Sequence, residues 1–201
     1  MSGGAPWWRT YFDDVFFRLH DPLFTEAESR SEVAAMRELL ALPHGARILD
    51  VPCGWGRHTV LFAEAGLDAF GADLSSELLA RAEPGQRPRR ARYAAADVRV
   101  LPFADASFDA VVNVFTSLGL FLDDAEDIRA LAEARRVLRP DGALLLESMH
   151  RDEVIAAYAE RDRWRLPDGT QIRVRRRFDP VTGVSRERWR WRSGDGAEQG
   201  E

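Results

Sequence analysis

Ile48-Leu49-Asp50-Val51-Pro52-Cys53-Gly54-Trp55-Gly56-Arg57-His58 is the stretch that decides the fold. It opens apolar, ends that run on an acid, turns through two glycines, and continues in residues that suit a helix. That is the pattern of a buried strand carrying a carboxylate to a sheet edge, followed by a glycine-bearing loop and a helix. Twenty-three residues after Asp50, a second strand, Ala69-Phe70-Gly71-Ala72, also ends on an acid, Asp73. Two strands delivering carboxylates to one edge, with glycines between them, make a nucleoside-binding site.

The alternation extends outward from this core. Strand 47–52 precedes helix 57–65, which Gly66 stops, and strand 69–73 precedes helix 76–82, capped by Ser75 or Ser76 and ended by Pro84-Gly85. Strands 91–96 and 108–115 follow. Then come helix 124–138, stopped by Arg139-Pro140-Asp141-Gly142, and strand 143–148. Short, nearly continuous apolar strands suit a parallel sheet covered on both faces, and alternation at this spacing predicts an α/β, Rossmann-like doubly wound, mostly parallel sheet. The first 44 residues read as a helical cap rich in aromatics, with Val33, Met36, Leu39 and Leu40 at helical spacing in a helix over 32–42. After a helix at 152–161, segments 171–178 and 185–192 alternate around Asp179-Pro180-Val181-Thr182-Gly183 and predict a β-hairpin insertion. The reading is one domain over 1–201: cap 1–44, core 45–150, and a hairpin region 151–201 with a frayed tail.

Composition narrows the class. At 201 residues, 45% apolar and 30% charged, the chain reads as globular, and one cysteine, Cys53, leaves no disulfide framework and no cysteine-based metal cluster. No run is apolar enough to span a membrane, the N-terminus lacks a signal-peptide core, and the expectation is a cytoplasmic protein without a metal. All 28 basic residues are arginine, a pattern that GC-rich coding explains without chemistry. Their distribution is uneven: residues 161–192 set eleven arginines against Asp162, Asp168, Asp179 and Glu187 in a chain of net charge −5.

A nicotinamide turn wants a third glycine where this loop has Thr59, and Asp50 would repel a pyrophosphate. A cofactor without phosphate fits better. Five segments carry a resemblance: Leu49–His58, Gly71-Ala72-Asp73-Leu74-Ser75, Ala96–Phe103, Phe108-Asp109-Ala110-Val111-Val112 and Val137–Ala143. In this order and spacing the chain resembles a class I S-adenosylmethionine-dependent methyltransferase of the small-molecule type. The resemblance implies S-adenosyl-L-methionine as cofactor and S-adenosyl-L-homocysteine as product. It implies that Asp50 and the backbone of Cys53, Gly54 and Gly56 line the methionine end, that Asp73 accepts the ribose hydroxyls beside Leu74, and that Asp97 accepts the adenine amine beside the Val98 amide. Asn113 and Phe115 would lend backbone to the methionine amine and the reacting methyl. Pro52 stands where the family more often has glycine.

Methyl transfer from a sulfonium needs alignment more than a base. His150, after the fifth strand, is the candidate base or substrate contact, while His58, His20 and His44 read as structural. Tyr11, with Trp8, belongs either to a lid over the sulfonium or to ordinary packing, and Ser117 sits in the expected substrate wall. The arginine-rich hairpin reads as a solvated face, an acceptor pocket or a homodimer contact, with nucleic acid disfavoured by the acidic chain. The resemblance also implies two closing strands, the last antiparallel, and the expectation is that they are missing, because Ser193–Glu201 cannot supply them. A small-molecule methyltransferase is the reading. Its alternatives are an RNA or protein methyltransferase docking through the hairpin, an inactive cofactor-binding scaffold, and a nucleotide-binding oxidoreductase.

Overall fold

The computed structural model describes residues 6–82, 91–197 and 199–200. Two compact units divide the chain, Met1–Ser148 and Met149–Glu201, close to the sequence boundary between core and hairpin region. The first unit holds helices α1 (Trp8–Tyr11), α2 (Asp14–His20), α3 (Glu26–Leu39), α4 (Arg57–Glu64), α5 (Ser76–Ala82) and α6 (Asp124–Val137). Its strands are β1 (Arg47–Asp50), β2 (Asp68–Asp73), β3 (Ala91–Ala95), β4 (Phe108–Asn113) and β5 (Leu138–Leu146), in the order β3-β2-β1-β4-β5, every neighbouring pair parallel. This is the doubly wound sheet expected.

The inner strands β1, β2 and β4 are buried on both faces, which is why they are nearly continuously apolar, whereas β3 has no buried residue and Leu144 and Leu146 of the edge strand β5 are exposed. Ile48, Ala110 and Val112 pack with Phe62 and Leu67 and with Val33 and Met36 of α3. Leu49, Val51 and Val111 point the other way, against Phe108, Ala134 and Val137. Successive residues of β1 and β4 therefore serve opposite layers. The order reverses between β1 and β4, and ligands bind in the crevice at such a switch point, beyond the carboxyl ends of the strands.

Local chemistry sets the element ends, and several differ from the sequence reading. Helix α3 begins at Glu26, six residues earlier than expected, because Thr25 and Glu28 form a reciprocal capping box. Leu39 closes α3 on its exposed side, 78% accessible, rather than on the core face. Ser75 caps α5 through its hydroxyl, which accepts the Leu78 amide, whereas the stop assigned to Pro84-Gly85 lies outside the described residues. Strand β4 stops at Asn113, two residues short of the expected end, because Phe115 and Thr116 both turn left-handed. Strand β5 starts at Leu138 instead of residue 143, with a register shift opposite Phe108 and Ala110. Arg139-Pro140-Asp141-Gly142 thus bulges within the strand, at the sheet edge where proline is tolerated.

The second unit holds α7 (Arg151–Ala156) and a four-stranded antiparallel sheet in the order β6-β7-β8-β9: Arg161–Arg165, Gln171–Asp179, Val184–Arg192 and Gln199–Gly200. The hairpin is present, but the helix expected over 152–161 ends at Ala156. Arg161–Arg165 is a strand, turned into β7 by Gly169 at φ 86°. The tail read as frayed contributes β9, paired with Trp191 and Arg192.

Candidate functional site

Parallel pairing brings the ends of β1, β2 and β4 to one edge and leaves Asp50, Asp73 and Asn113 there, with Asp97 just past β3. Asp50 is 2% exposed and accepts the Thr59 hydroxyl at 2.6 Å. Burial pushes its carboxyl up to about 7, opposed by the Thr59 hydrogen bond and reinforced by nearby Asp73. Asp73 is also buried, and burial raises its pKa despite hydrogen bonds from the Ser75, Gly54 and Leu74 amides. The Gly54 amide reaches Asp73 Oδ2 at 2.7 Å and the Ser75 amide reaches Oδ1 at 2.9 Å. The glycine loop is therefore tied directly to the second strand-end carboxylate.

The loop needs its glycines. Gly54 and Gly56 lie at φ 54° and 74°, and a Cβ at Gly56 would stand 2.7 Å from the Tyr93 ring. Gly71 is equally confined, its missing Cβ 2.8 Å from Thr59 Oγ1 and 2.9 Å from Cys53 Sγ. The Val51–Pro52 peptide is cis, and the Cys53 amide donates to the Ala72 carbonyl at 2.9 Å. Cys53 is enclosed beside the two acids, which drives its thiol well above the usual range, burial being the largest cause.

Asn113 donates from Nδ2 to the Val51 carbonyl at 2.9 Å, bridging β1 and β4 across the switch point. Its Oδ1 is buried and accepts nothing among the described residues, an orphaned acceptor at the sheet edge. Its backbone carbonyl accepts the Glu147 amide and is thereby committed to the β5 ladder. Asn113, Val98 and Leu118 line a narrow hollow of about 20 Å³. Asp97 is held by Arg99, which contacts both carboxylate oxygens and also reaches Glu126. That hydrogen bonding keeps Asp97 below the ordinary carboxylate range. Arg99 in turn lies 4.8 Å from the Phe121 ring centre and 5.7 Å from that of Trp8.

The aromatic cap reaches the same edge. Phe17 and Phe24 pack on Trp55 of the glycine loop, and Trp8 packs edge-on to Phe121. Arg57 sits between the Phe24 and Phe115 rings, 4.5 Å from each centre, and shares Glu32 with His58. His58 is 5% exposed and stacks on Phe115, and burial, aided by the Arg57 charge, lowers its pKa. Sequence reasoning missed Glu32, Arg57, Thr59 and Arg99. Only Arg57, adjoining the glycine turn, carried a local signal. Tyr11 packs with Trp7, Phe12 and Phe16, and the Ser117 hydroxyl donates to its own loop at Val114 O. Leu74 is half-buried beside Asp73. His150 stands exposed as the N-cap residue of α7, and its side chain makes no capping bond. His20 stacks on Phe16, and the His44 ring fills the space beside Gly66, so both serve packing.

These residues suit a nucleoside with a charged amino-acid tail. Asp73 retains acceptor capacity for vicinal hydroxyls, the orphaned Asn113 oxygen asks for a donor, and two enclosed carboxylates favour a cation. A family model described as a methyltransferase domain matches residues 48–142. The chain is 35% identical over 138 residues to the demethylmenaquinone methyltransferase of Renibacterium salmoninarum, covering 67% of this chain and 55% of that protein. It is 34% identical over 149 residues to the glycine/sarcosine N-methyltransferase of Parasynechococcus marenigrum, covering 72% of this chain and 51% of that one. The SAM-bound amino pentose methyltransferase of calicheamicin biosynthesis from Micromonospora echinaspora superposes with TM-score 0.64 at 26% identity, over 93% of this chain and 79% of that one. The chain spans about half the length of the curated relatives it matches.

Proposed function

We propose, on the premise that the core of this chain belongs to the class I S-adenosylmethionine-dependent methyltransferases, that the protein methylates a small-molecule acceptor by in-line displacement. The observation that carries the reading is the row of carboxylates Asp50, Asp73 and Asp97 along one sheet edge, with the Gly54 amide bonded to Asp73. When bound, S-adenosylmethionine supplies a methyl group already activated by its sulfonium charge. Asp73 holds the ribose hydroxyls and Asp97, oriented by Arg99, holds the adenine amine. Asp50 and the orphaned Asn113 oxygen favour the ammonium of the methionine tail. Glycines at 54 and 56 let the loop approach without a side chain in the way. Trp8, Phe24 and Trp55 exclude water and place ring faces near a cation.

Positioning of this kind is worth about 7–11 kcal/mol where reactants are held in attack geometry. An acceptor that ionises without help needs no base, and His150 is the candidate where one is needed. The relatives' names point to demethylmenaquinone, glycine or sarcosine, and amino-pentose acceptors, so those three classes form the first panel. The test is transfer of labelled methyl from S-adenosylmethionine into that panel, with Asp73→Ala as control. Turnover of one class, lost in the variant, supports the proposal. Cofactor binding without turnover of any small molecule, together with methylation of RNA or protein, overturns it.

A further inference from the structure

The antiparallel sheet of the second unit gathers ten of its eleven strand arginines on one face. Residues directly opposite in register share a face, and Trp164, Ile172 and Trp191 fall together on one side, joined by Val174 and Trp189. Ile172 and Val174 are buried, and Trp164 meets Trp189 edge-on at 5.1 Å. Two of the strands' three acids sit on this side too: Asp162 and Glu187 both pair with Arg176. The other face carries Arg161, Arg163 and Arg165 of β6, Arg173, Arg175 and Arg177 of β7, and every second residue of β8 from Arg186 to Arg192. All of these are exposed. Asp179, at the turn end of that face, gives its carboxylate to the Val181 amide at 2.9 Å.

Arginine faces arginine across the strands: Arg161 and Arg188 flank Arg175, Arg163 and Arg190 flank Arg173, and Arg177 opposes Arg186. Like charges directly opposite destabilise a sheet, so this face gains stability from a dense anion laid across it. The absence of lysine from the whole chain removes any argument from arginine itself; the segregation carries it. We propose that this face is a docking surface for the phosphodiester backbone of a nucleic acid, held without reading its sequence. Strands about 4.8 Å apart with side chains repeating about every 6.6 Å make a charge lattice far denser than the scattered anionic lipids of a bilayer. A duplex, with one phosphate per ~1.7 Å of axis, presents a continuous row of fixed anions that such a bilayer lacks. The face has no aromatic residue to stack on bases, and its one aliphatic residue, Val184, is half-buried at the turn end, too little to wedge into lipid or anchor a protein partner. This inference is independent of the methyl-transfer reading.

The test uses the full chain and a labelled 20-base-pair duplex of arbitrary sequence, followed by fluorescence anisotropy. Binding is expected at about 50 mM salt and should fall a hundredfold or more by about 200 mM, as release of several counterions requires. Arg163→Gln/Arg173→Gln/Arg175→Gln should weaken binding and flatten the logarithmic salt slope by about three. Arg129→Gln/Arg135→Gln/Arg151→Gln, an equal charge change elsewhere, should do neither. In the wild type, duplex should protect arginines of residues 161–192 from an arginine-selective dicarbonyl, a readout that needs no variant to fold. The proposal is overturned by no binding at low salt, by equal loss in the control variant, by protection elsewhere, or by phosphatidylserine vesicles binding where the duplex does not.

Discussion

Asp50 is the residue on which the site's acid–base behaviour turns. Its folded pKa, about 7, lies above the ordinary carboxylate range because burial disfavours the charge. The folded state therefore holds a proton that the unfolded chain releases, and stability from this group is full below about pH 4 and declines as pH rises toward 7. Asp50→Asn is expected to be more stable than wild type at pH 8, with the difference vanishing near pH 4; urea melts at both pH values check it. A bound ammonium reverses the preference, so S-adenosylhomocysteine should displace protons from the site near pH 6.5, measurable as buffer-dependent binding heat. Thr59→Val, which strips the hydroxyl from a buried acid, should cost about 1–3 kcal/mol in the same melts. The acids were legible because each ends an apolar run, whereas Thr59 looks like any helix residue until the strand beneath it is known.

At the scale of elements, the cap is fastened to the core by a node that no sequence window contains. Glu32 of α3 receives Arg57 and His58 of α4, and Arg57 is enclosed by rings from the cap and from the loop after β4. Arg57→Ala loses a partly exposed ion pair and two cation–ring contacts, and about 2 kcal/mol of stability is expected to go with them. Cofactor affinity should fall as well, because Phe24 and Phe115 lose their common brace; Arg57→Lys should restore little of it, since lysine has no planar head to stack. Denaturant melts and calorimetry on the two variants separate these effects. Element type followed the apolar period and was legible throughout β1–β4 and α4–α6. The missed pieces have physical causes. Proline at the sheet edge masked the start of β5, and β6 has a single apolar residue, Trp164, among charges.

Across the whole molecule, the doubly wound sheet and its acid-lined edge follow from one repeated unit, a strand ending in an acid before a helix. The charge-sorted second sheet follows from period-two alternation that the eye reads as a basic run. Its cross-strand rows emerge only with three-strand register. No described helix is long and apolar enough to cross a membrane. Phe62 is fully buried in the layer joining α3 and α4 to the sheet. Phe62→Ala should cost about 3–5 kcal/mol and be seen as a lowered urea midpoint. Saturating ligand acts in the opposite sense: at a hundred times its Kd, S-adenosylhomocysteine should add about 2.7 kcal/mol to the stability of the state that binds it.

The most direct test is calorimetric titration of S-adenosylhomocysteine and, separately, NADH into wild type and Asp73→Ala. The account predicts micromolar binding of S-adenosylhomocysteine alone, abolished by removing the carboxylate proposed to hold the ribose. Binding of NADH in its place, or S-adenosylhomocysteine affinity unchanged in Asp73→Ala, would contradict it.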